Sequence, residues 1–408
     1  MGVLRRIGTL ATCPALGGSA DLGSIKNAAL VWESGTVVWL GPDQDLPERF
    51  RGEASTDCSG KLVVPGLIDA HTHLLFAGWR AEEYEAKLRG ASYLDILKAG
   101  GGILSTVRMT RAESDQALTE RARKVLDQQA ALGITTIEAK TGYGLSFDQE
   151  LRALRLYQQL RALSPVEIVS TCLAAHALPS EFSNDRVNYL RMIEEQLIPA
   201  VAREALATSI DVFVENGAFG AEEARGLARR AGEFGLGVRL HVDQLAPGQG
   251  AELGVELGAL SVDHLECISE RGIASLAASS TVGVLLPLAS LYLGKKPAPA
   301  RAMIEAGCRI AIATDFNPGS APSYHLPLAM MLGCSLLRLT PSEVLRAATI
   351  NAAIALRISD RVGSIEVGKA ADLALIDAPD PTTWLYHFRD NACLRTIKSG
   401  KTIYEANR

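Results

Sequence analysis

The sequence predicts an α/β protein: a closed (β/α)8 TIM barrel carrying a small β-sandwich domain built from the N- and C-terminal segments. Three observations predict it. Apolar, strand-like runs alternate with stretches of helical periodicity from Lys61 onward, the signature of successive βαβ units. Eight such runs occur, and eight strand–helix repeats over roughly 250 residues are the usual span of a barrel. Short strand-and-turn segments flank this region on both sides and would bring the termini together. The expected division gives residues 1–60 and 359–408 to the β-sandwich and 61–358 to the barrel.

At the N-terminal end, strands are expected at Leu4–Ala11, Ala28–Trp32 and, after a Ser-Gly turn, Thr36–Leu40. The barrel strands are expected at Leu62–His71, Ile134–Lys140, Val166–Ala174, Ile210–Glu215, Gly237–Val242, Leu260–His264, Val282–Leu286 and Arg309–Thr314. Amphipathic stretches such as Glu113–Ala131, Asp148–Leu163, Arg186–Leu206 and Ala221–Glu233 supply the crossover helices. A helical Pro341–Leu356 follows. Strand-like pieces Gly363–Val367, Asp372–Asp377 and Thr396–Tyr404 then complete the small domain. No internal repeat, low-complexity tract or long charge run interrupts this order.

With 408 residues the chain exceeds one ordinary domain, and a barrel with an accessory domain fits it. Its 48% hydrophobic and 21% charged residues are the balance of a soluble globular protein. A net charge of −5 gives no general attraction to phosphate backbones, so nucleic acid and anionic membranes are excluded as partners. A small molecule is the expected partner, and homodimerisation follows from base rate. The cysteines Cys13, Cys58, Cys172, Cys267, Cys308, Cys334 and Cys393 are odd in number, dispersed and without a CxxC pair. That favours reduced thiols in a cytoplasm. The N-terminus reads as no signal peptide. Residues 272–294 carry no charge, but serines, Pro287 and glycines interrupt them, so a buried helix end and a core strand are expected.

The chemistry concentrates at strand ends. In His71-Thr-His73 two imidazoles lie two residues apart on an extended segment and point the same way, so both can grip one divalent cation. His241, His264 and Asp315 each end an apolar run, which places all five at the carboxyl-end rim where barrels keep their catalytic groups. A lone histidine is most often a hydrogen-bonded core residue. Here five of seven histidines end strands or directly follow one. Neutral imidazoles with a carboxylate suit zinc or iron, whereas magnesium wants more oxygen ligands. One cation per subunit is expected, because the fourth strand ends Val212-Phe-Val-Glu-Asn216 without a lysine to bridge a second. Lys140, ending the second strand, reads as a charge partner for substrate.

Several stretches together resemble the amidohydrolase superfamily and, within it, the imidazolonepropionase family. They are Pro65-Gly-Leu-Ile-Asp-Ala-His-Thr-His-Leu-Leu-Phe-Ala-Gly-Trp-Arg80, Gly100-Gly-Gly-Ile-Leu-Ser-Thr-Val-Arg108, Glu138-Ala-Lys-Thr-Gly-Tyr-Gly144, Ala175-His-Ala-Leu178, His241-Val-Asp-Gln244 and Ala313-Thr-Asp-Phe-Asn-Pro-Gly-Ser320. HxH alone indicates only the superfamily; the glycine triplet and the Lys-Thr-Gly-Tyr-Gly and Thr-Asp-Phe-Asn-Pro-Gly stretches are far more specific. The resemblance implies metal ligands at His71, His73, His241 and Asp315. It implies substrate contacts at Arg80, Tyr143, His176 and Gln244, with Asn317, Gly319 and Ser320 near the product.

Each assignment makes chemical sense for 4-imidazolone-5-propanoate. Arg80 can pair with the propionate in a forked contact. Gln244 can donate and accept at the ring edge but cannot be a base, although some similar chains carry glutamate there. The implied reaction is attack of metal hydroxide on the ring carbonyl, with Asp315 and His264 managing protons. Ring C–N cleavage then gives N-formimidoyl-L-glutamate. A deaminase of the same superfamily, acting on formimidoyl-glutamate or an aromatic amidine, is the alternative; ammonia release separates the two. A catalytically dead scaffold is disfavoured because every ligand position is intact.

Overall fold

The computed structural model describes residues 1–91 and 100–407. Among these, eight strands form one sheet in chain order: Leu67–Asp69, Ile134–Lys140, Glu167–Ala175, Ser209–Val214, Gly237–Val242, Ser261–His264, Val282–Leu285 and Ile310–Ile312. Every adjacent pair runs parallel, which requires a crossover between strands, and helices supply it. Parallel strands covered on both sides read as unbroken buried runs, and Ile134–Lys140 is buried at all seven positions. The helices start where side-chain caps allow. Ser114, Ser146 and Ser269 each accept a backbone N–H at the start of Asp115–Ala131, Phe147–Leu163 and Glu270–Ala277.

The ring closes between the eighth and first strands. Thr72 and Phe316 form a parallel bridge, Asp315 N donates to His71 O at 3.0 Å, and His73 N donates to Phe316 O at 2.9 Å. Just below, Asp69 accepts from the Thr314 amide at 3.0 Å and the Thr314 hydroxyl at 2.6 Å. Closure therefore ties the His71–His73 segment directly to Asp315.

A second, mixed sheet takes strands from both chain ends. Its order is Lys401–Glu405, Cys393–Lys398, Leu373–Ile376, Leu62–Pro65, Gly2–Leu10, Ile25–Glu33 and Thr36–Pro42, with Thr56–Asp57 beside Gly2–Leu10. Leu4, Ile7, Leu10, Leu30, Val63, Leu373 and Ile397 form its own apolar cluster, separate from the barrel core.

The structure corrects several boundaries. Leu62–His71 is two strands, not one: Leu62–Pro65 belongs to the small sheet and Leu67–Asp69 to the barrel. Gly66 makes the break, since a Cβ there would lie 2.3 Å from Thr135 Oγ1. Thr396–Tyr404 is a hairpin that turns at Ser399 and Gly400, both with positive φ. Gly363–Val367 forms no strand, and Pro341–Leu356 divides into helices Pro341–Ala347 and Ile350–Ala355. The uncharged run 272–294 is a helix to Ala277, the strand Val282–Leu285 and the helix Pro287–Leu293. Among the described residues no helix is long and apolar enough to cross a membrane.

Candidate active site at the carboxyl-end rim

The five rim residues named from the sequence converge. One ligand atom each from His71, His73 and Asp315 lie within 4.8 Å of one another, and so do those of His71, His241 and His264. Asp315 Oδ1 sits 3.4 Å from His71 Nε2 and 3.5 Å from His73 Nε2. All five side chains are buried. Local backbone geometry delivers two of them: His264 and Asp315 have φ of 82° and 55°, so the chain leaves extended conformation where each strand ends. Left-handed backbone at non-glycine residues is costly and is typical of functional sites.

The far nitrogens of two imidazoles are already held. His71 Nδ1 donates to Asp263 at 2.6 Å and His241 Nδ1 donates to Asp211 at 3.0 Å, which leaves each Nε2 as the lone-pair atom. Both Nε2 atoms are buried without a hydrogen-bond partner among the described residues. Such orphaned acceptors are expensive unless something electrophilic meets them. Carboxylate–imidazole pairs of this kind orient metal ligands in general. The charges agree: Glu138, Asp211, Asp263 and Asp315 are four buried carboxylates, three of them around the single ammonium of Lys140, and a divalent ion would offset part of their excess negative charge. The donor set therefore fits a metal cofactor.

Burial pushes His241 down to about 3 and His73 well below the ordinary imidazole range, so both are neutral, the form that ligates. Burial and Lys140 lower His71 as well, but the neighbouring carboxylates of Asp263 and Asp315 outweigh them and raise it to about 9. An ion bound there displaces that proton, because a ligating imidazole must be neutral. Burial alone would raise the Asp315 carboxyl; His71 and His73 reverse this and hold it well below the usual carboxylate range.

The cradle opens into a cavity of about 750 Å³, lined among others by His73, His241, His264, Asp315, Arg80 and Gln244. Tyr143, His176, Asn317, Gly319 and Ser320 line it too. His176 stacks on His73 with ring centroids 5.3 Å apart, and its Nδ1 lies 3.0 Å from Gly142 O. Asn317 is largely committed to its own turn. Its Oδ1 accepts from the amides of Gly319 and Ser320, both at 2.8 Å, and its Nδ2 donates to Asp315 O at 2.6 Å.

The family model described as the amidohydrolase family matches residues 62–403. The chain belongs to the amidohydrolase family. Its curated relatives include the imidazolonepropionase of Geobacillus kaustophilus, 44% identical over 94% of this chain and 92% of that protein. The imidazolonepropionase of Brevibacillus brevis is 42% identical over 97% of this chain and 94% of its own. Among solved structures, a mutant atrazine chlorohydrolase from Arthrobacter aurescens, complexed with zinc and atraton, superposes with TM-score 0.76 at 17% identity, covering 99% of this chain and 95% of that one. A zinc-bound adenosine deaminase from Xanthomonas campestris gives 0.71 at 18%, covering 98% and 92%. At such identities the structural likeness speaks for the fold alone.

One expectation fails. Lys140 was expected beside substrate, but its side chain is fully buried and absent from the cavity wall. Its Nζ instead donates to Glu138 at 2.9 Å and Asp211 at 2.8 Å, beneath the rim. Sequence reasoning missed Asp211 and Asp263, since each lies inside an apolar run and only alternation of facing hinted at an inward polar group. It also missed Tyr84 and Tyr292, which stack at 5.0 Å from different helices on the cavity wall.

Proposed function

We propose that this chain hydrolyses the ring C–N bond of 4-imidazolone-5-propanoate, giving N-formimidoyl-L-glutamate, the activity for which its 42–45% identical relatives are named. One observation carries the reading: a single cavity joins the imidazole cradle to Arg80, so it can seat a small molecule with a carbonyl at one end and a carboxylate at the other.

His71, His73, His241 and Asp315 would hold one cation, and their nitrogen-rich set suits zinc or iron. When bound, that ion supplies Lewis acidity to water and to the ring carbonyl. The remaining work falls to side chains. Arg80 anchors the propionate and fixes the ring's distance from the cradle. Gln244 offers one donor and one acceptor to the ring edge, and Tyr143 and His176 form the wall against which the ring lies. Asp315 takes a proton from the attacking water at a carboxylate oxygen. His264, buried in the same wall, relays that proton to the departing ring nitrogen, so the proton lost by water ends on the nitrogen that leaves. Seven thiols without a disulfide support a reducing, cytoplasmic setting.

The test is direct. Zinc and iron per chain are measured, and loss of imidazolonepropionate absorbance is followed alongside free ammonia. Turnover without ammonia is the expected result; ammonia rising in step with substrate loss would assign a deaminase instead.

A further inference from the structure

We propose that Lys140 is a positioning residue for the metal cradle, acting through Asp211 and Asp263 on the imidazoles of His241 and His71. The inference rests on the cradle described under the proposed function and extends it to a side chain that touches neither ion nor substrate.

Three carboxylates surround one ammonium. Lys140 Nζ lies 2.9 Å from Glu138 Oε1, 2.8 Å from Asp211 Oδ2 and 3.4 Å from Asp263 Oδ2, and all four side chains have no solvent exposure. An ammonium carries three donors, so its capacity and the number of facing acceptors match. Asp211 uses its other oxygen, Oδ1, for His241 Nδ1 at 3.0 Å. Asp263 uses the same Oδ2 for His71 Nδ1 at 2.6 Å. Lys140 thus reaches the His241 ring through two hydrogen bonds by way of Asp211, and the His71 ring through an ion pair and a hydrogen bond by way of Asp263, the two rings lying 4.5 Å apart.

The backbone reinforces this. Lys140 N donates to Thr72 O at 2.8 Å, between the two histidines of the HxH segment. Tyr157 Oη, itself buried, donates to Lys140 O at 2.8 Å and accepts from the Leu75 amide at 3.2 Å. The second strand and the His71–His73 segment are therefore fixed to one another, and Nζ is aimed at the fourth and sixth strands.

Removing the ammonium would leave three carboxylates facing one another in a dry interior, where repulsion is weakly screened and an unpaired charge is costly. Asp211 and Asp263 would swing toward other donors, and the Nδ1 atoms would lose the acceptors that fix ring rotation and leave Nε2 as the lone-pair atom. Arg239 does not substitute. Its guanidinium is spent on Ser209, Ser261 and Ala355 O.

The experiment uses the full chain, stripped of metal and titrated with Co²⁺ or Zn²⁺ against a chromophoric chelator. Lys140→Met is expected to bind one ion per chain with affinity weakened ~10–100-fold, the usual effect of losing a partner behind a metal ligand. The Co²⁺ visible spectrum should shift with it, which a merely structural loss would not produce. Glu138→Gln touches Lys140 but neither imidazole, and should move affinity far less. A folded Lys140→Met protein with wild-type affinity and spectrum overturns the proposal. Should that variant not fold, Lys140→Gln, which keeps a donor without the charge, is read in the same way. Failure of the wild-type chain to bind any ion would instead sink the cradle itself, so the two failures are distinguishable.

Discussion

Arg80 gives Nε and Nη2 to the Glu83 carboxylate, at 2.9 and 2.8 Å, and keeps Nη1 beside Gly319. Glu83 is anchored in turn by the Gly102 amide at 3.0 Å. The forked face expected to clasp a substrate carboxylate is thus partly occupied by a neighbour, and the guanidinium is preorganised with one edge turned to the cavity.

Arg80→Met should lower kcat/KM ~10–100-fold, mostly through KM, since a hydrogen bond to a charged group is worth ~1.5–3 kcal/mol. Gly319→Val should act in the same direction, because a Cβ at Gly319 would lie 2.2 Å from Nη1. Metal content should not change in either variant. Unaltered KM in both would remove Arg80 from substrate binding.

Chelation should abolish turnover, and added Zn²⁺ or Fe²⁺ should restore it. Any ion that binds only the folded chain also raises its stability, by ~2.7 kcal/mol at a hundredfold excess over Kd. A lower melting temperature after stripping is therefore expected. His73→Ala should lose metal and activity together; full-speed turnover by stripped protein or by this variant would refute the site.

Glu167 ties the third barrel strand to the C-terminal sheet through Lys398, at 2.8 Å, and Arg361. Burial alone would raise its carboxyl, but Arg361 and Lys398 reverse this and hold it at about 2. A depressed carboxylate stabilises the fold above its unfolded pKa of ~4.3 and loses that contribution as pH falls toward the folded value. The stability gap between wild type and Glu167→Gln should hold from pH 7 to 5 and shrink between about 4 and 2. Denaturant titrations across that range decide it, and a gap independent of pH would contradict the assignment.

Gly66→Val should destabilise the chain by ~1–3 kcal/mol, the usual cost of overpacking a full interior. The added carbon would lie 2.3 and 2.4 Å from Oγ1 and Cγ2 of Thr135, which is fully buried. The urea midpoint reports the effect, and an unmoved midpoint would show that the junction between the two sheets yields freely.

The amino-acid order alone settled what local chemistry settles. Unbroken apolar runs alternating with period-3.6 stretches marked seven of the eight barrel strands within a few residues, and the two-residue spacing in His71-Thr72-His73 announced a pair of converging imidazoles. The rim residues could be named because each ends an apolar run. Folding in three dimensions decided the rest. Whether Leu62–Pro65 served barrel or accessory sheet depended on its pairing with Gly2–Leu10 and Leu373–Ile376, strands distant in sequence. Lys140 and Asp211, 71 residues apart, meet only because the cylinder closes, and no periodicity encodes a contact between strands that are not neighbours. Where a charged group points across an enclosed interior follows from which partners can neutralise it there, a property of the assembled barrel and not of any single segment.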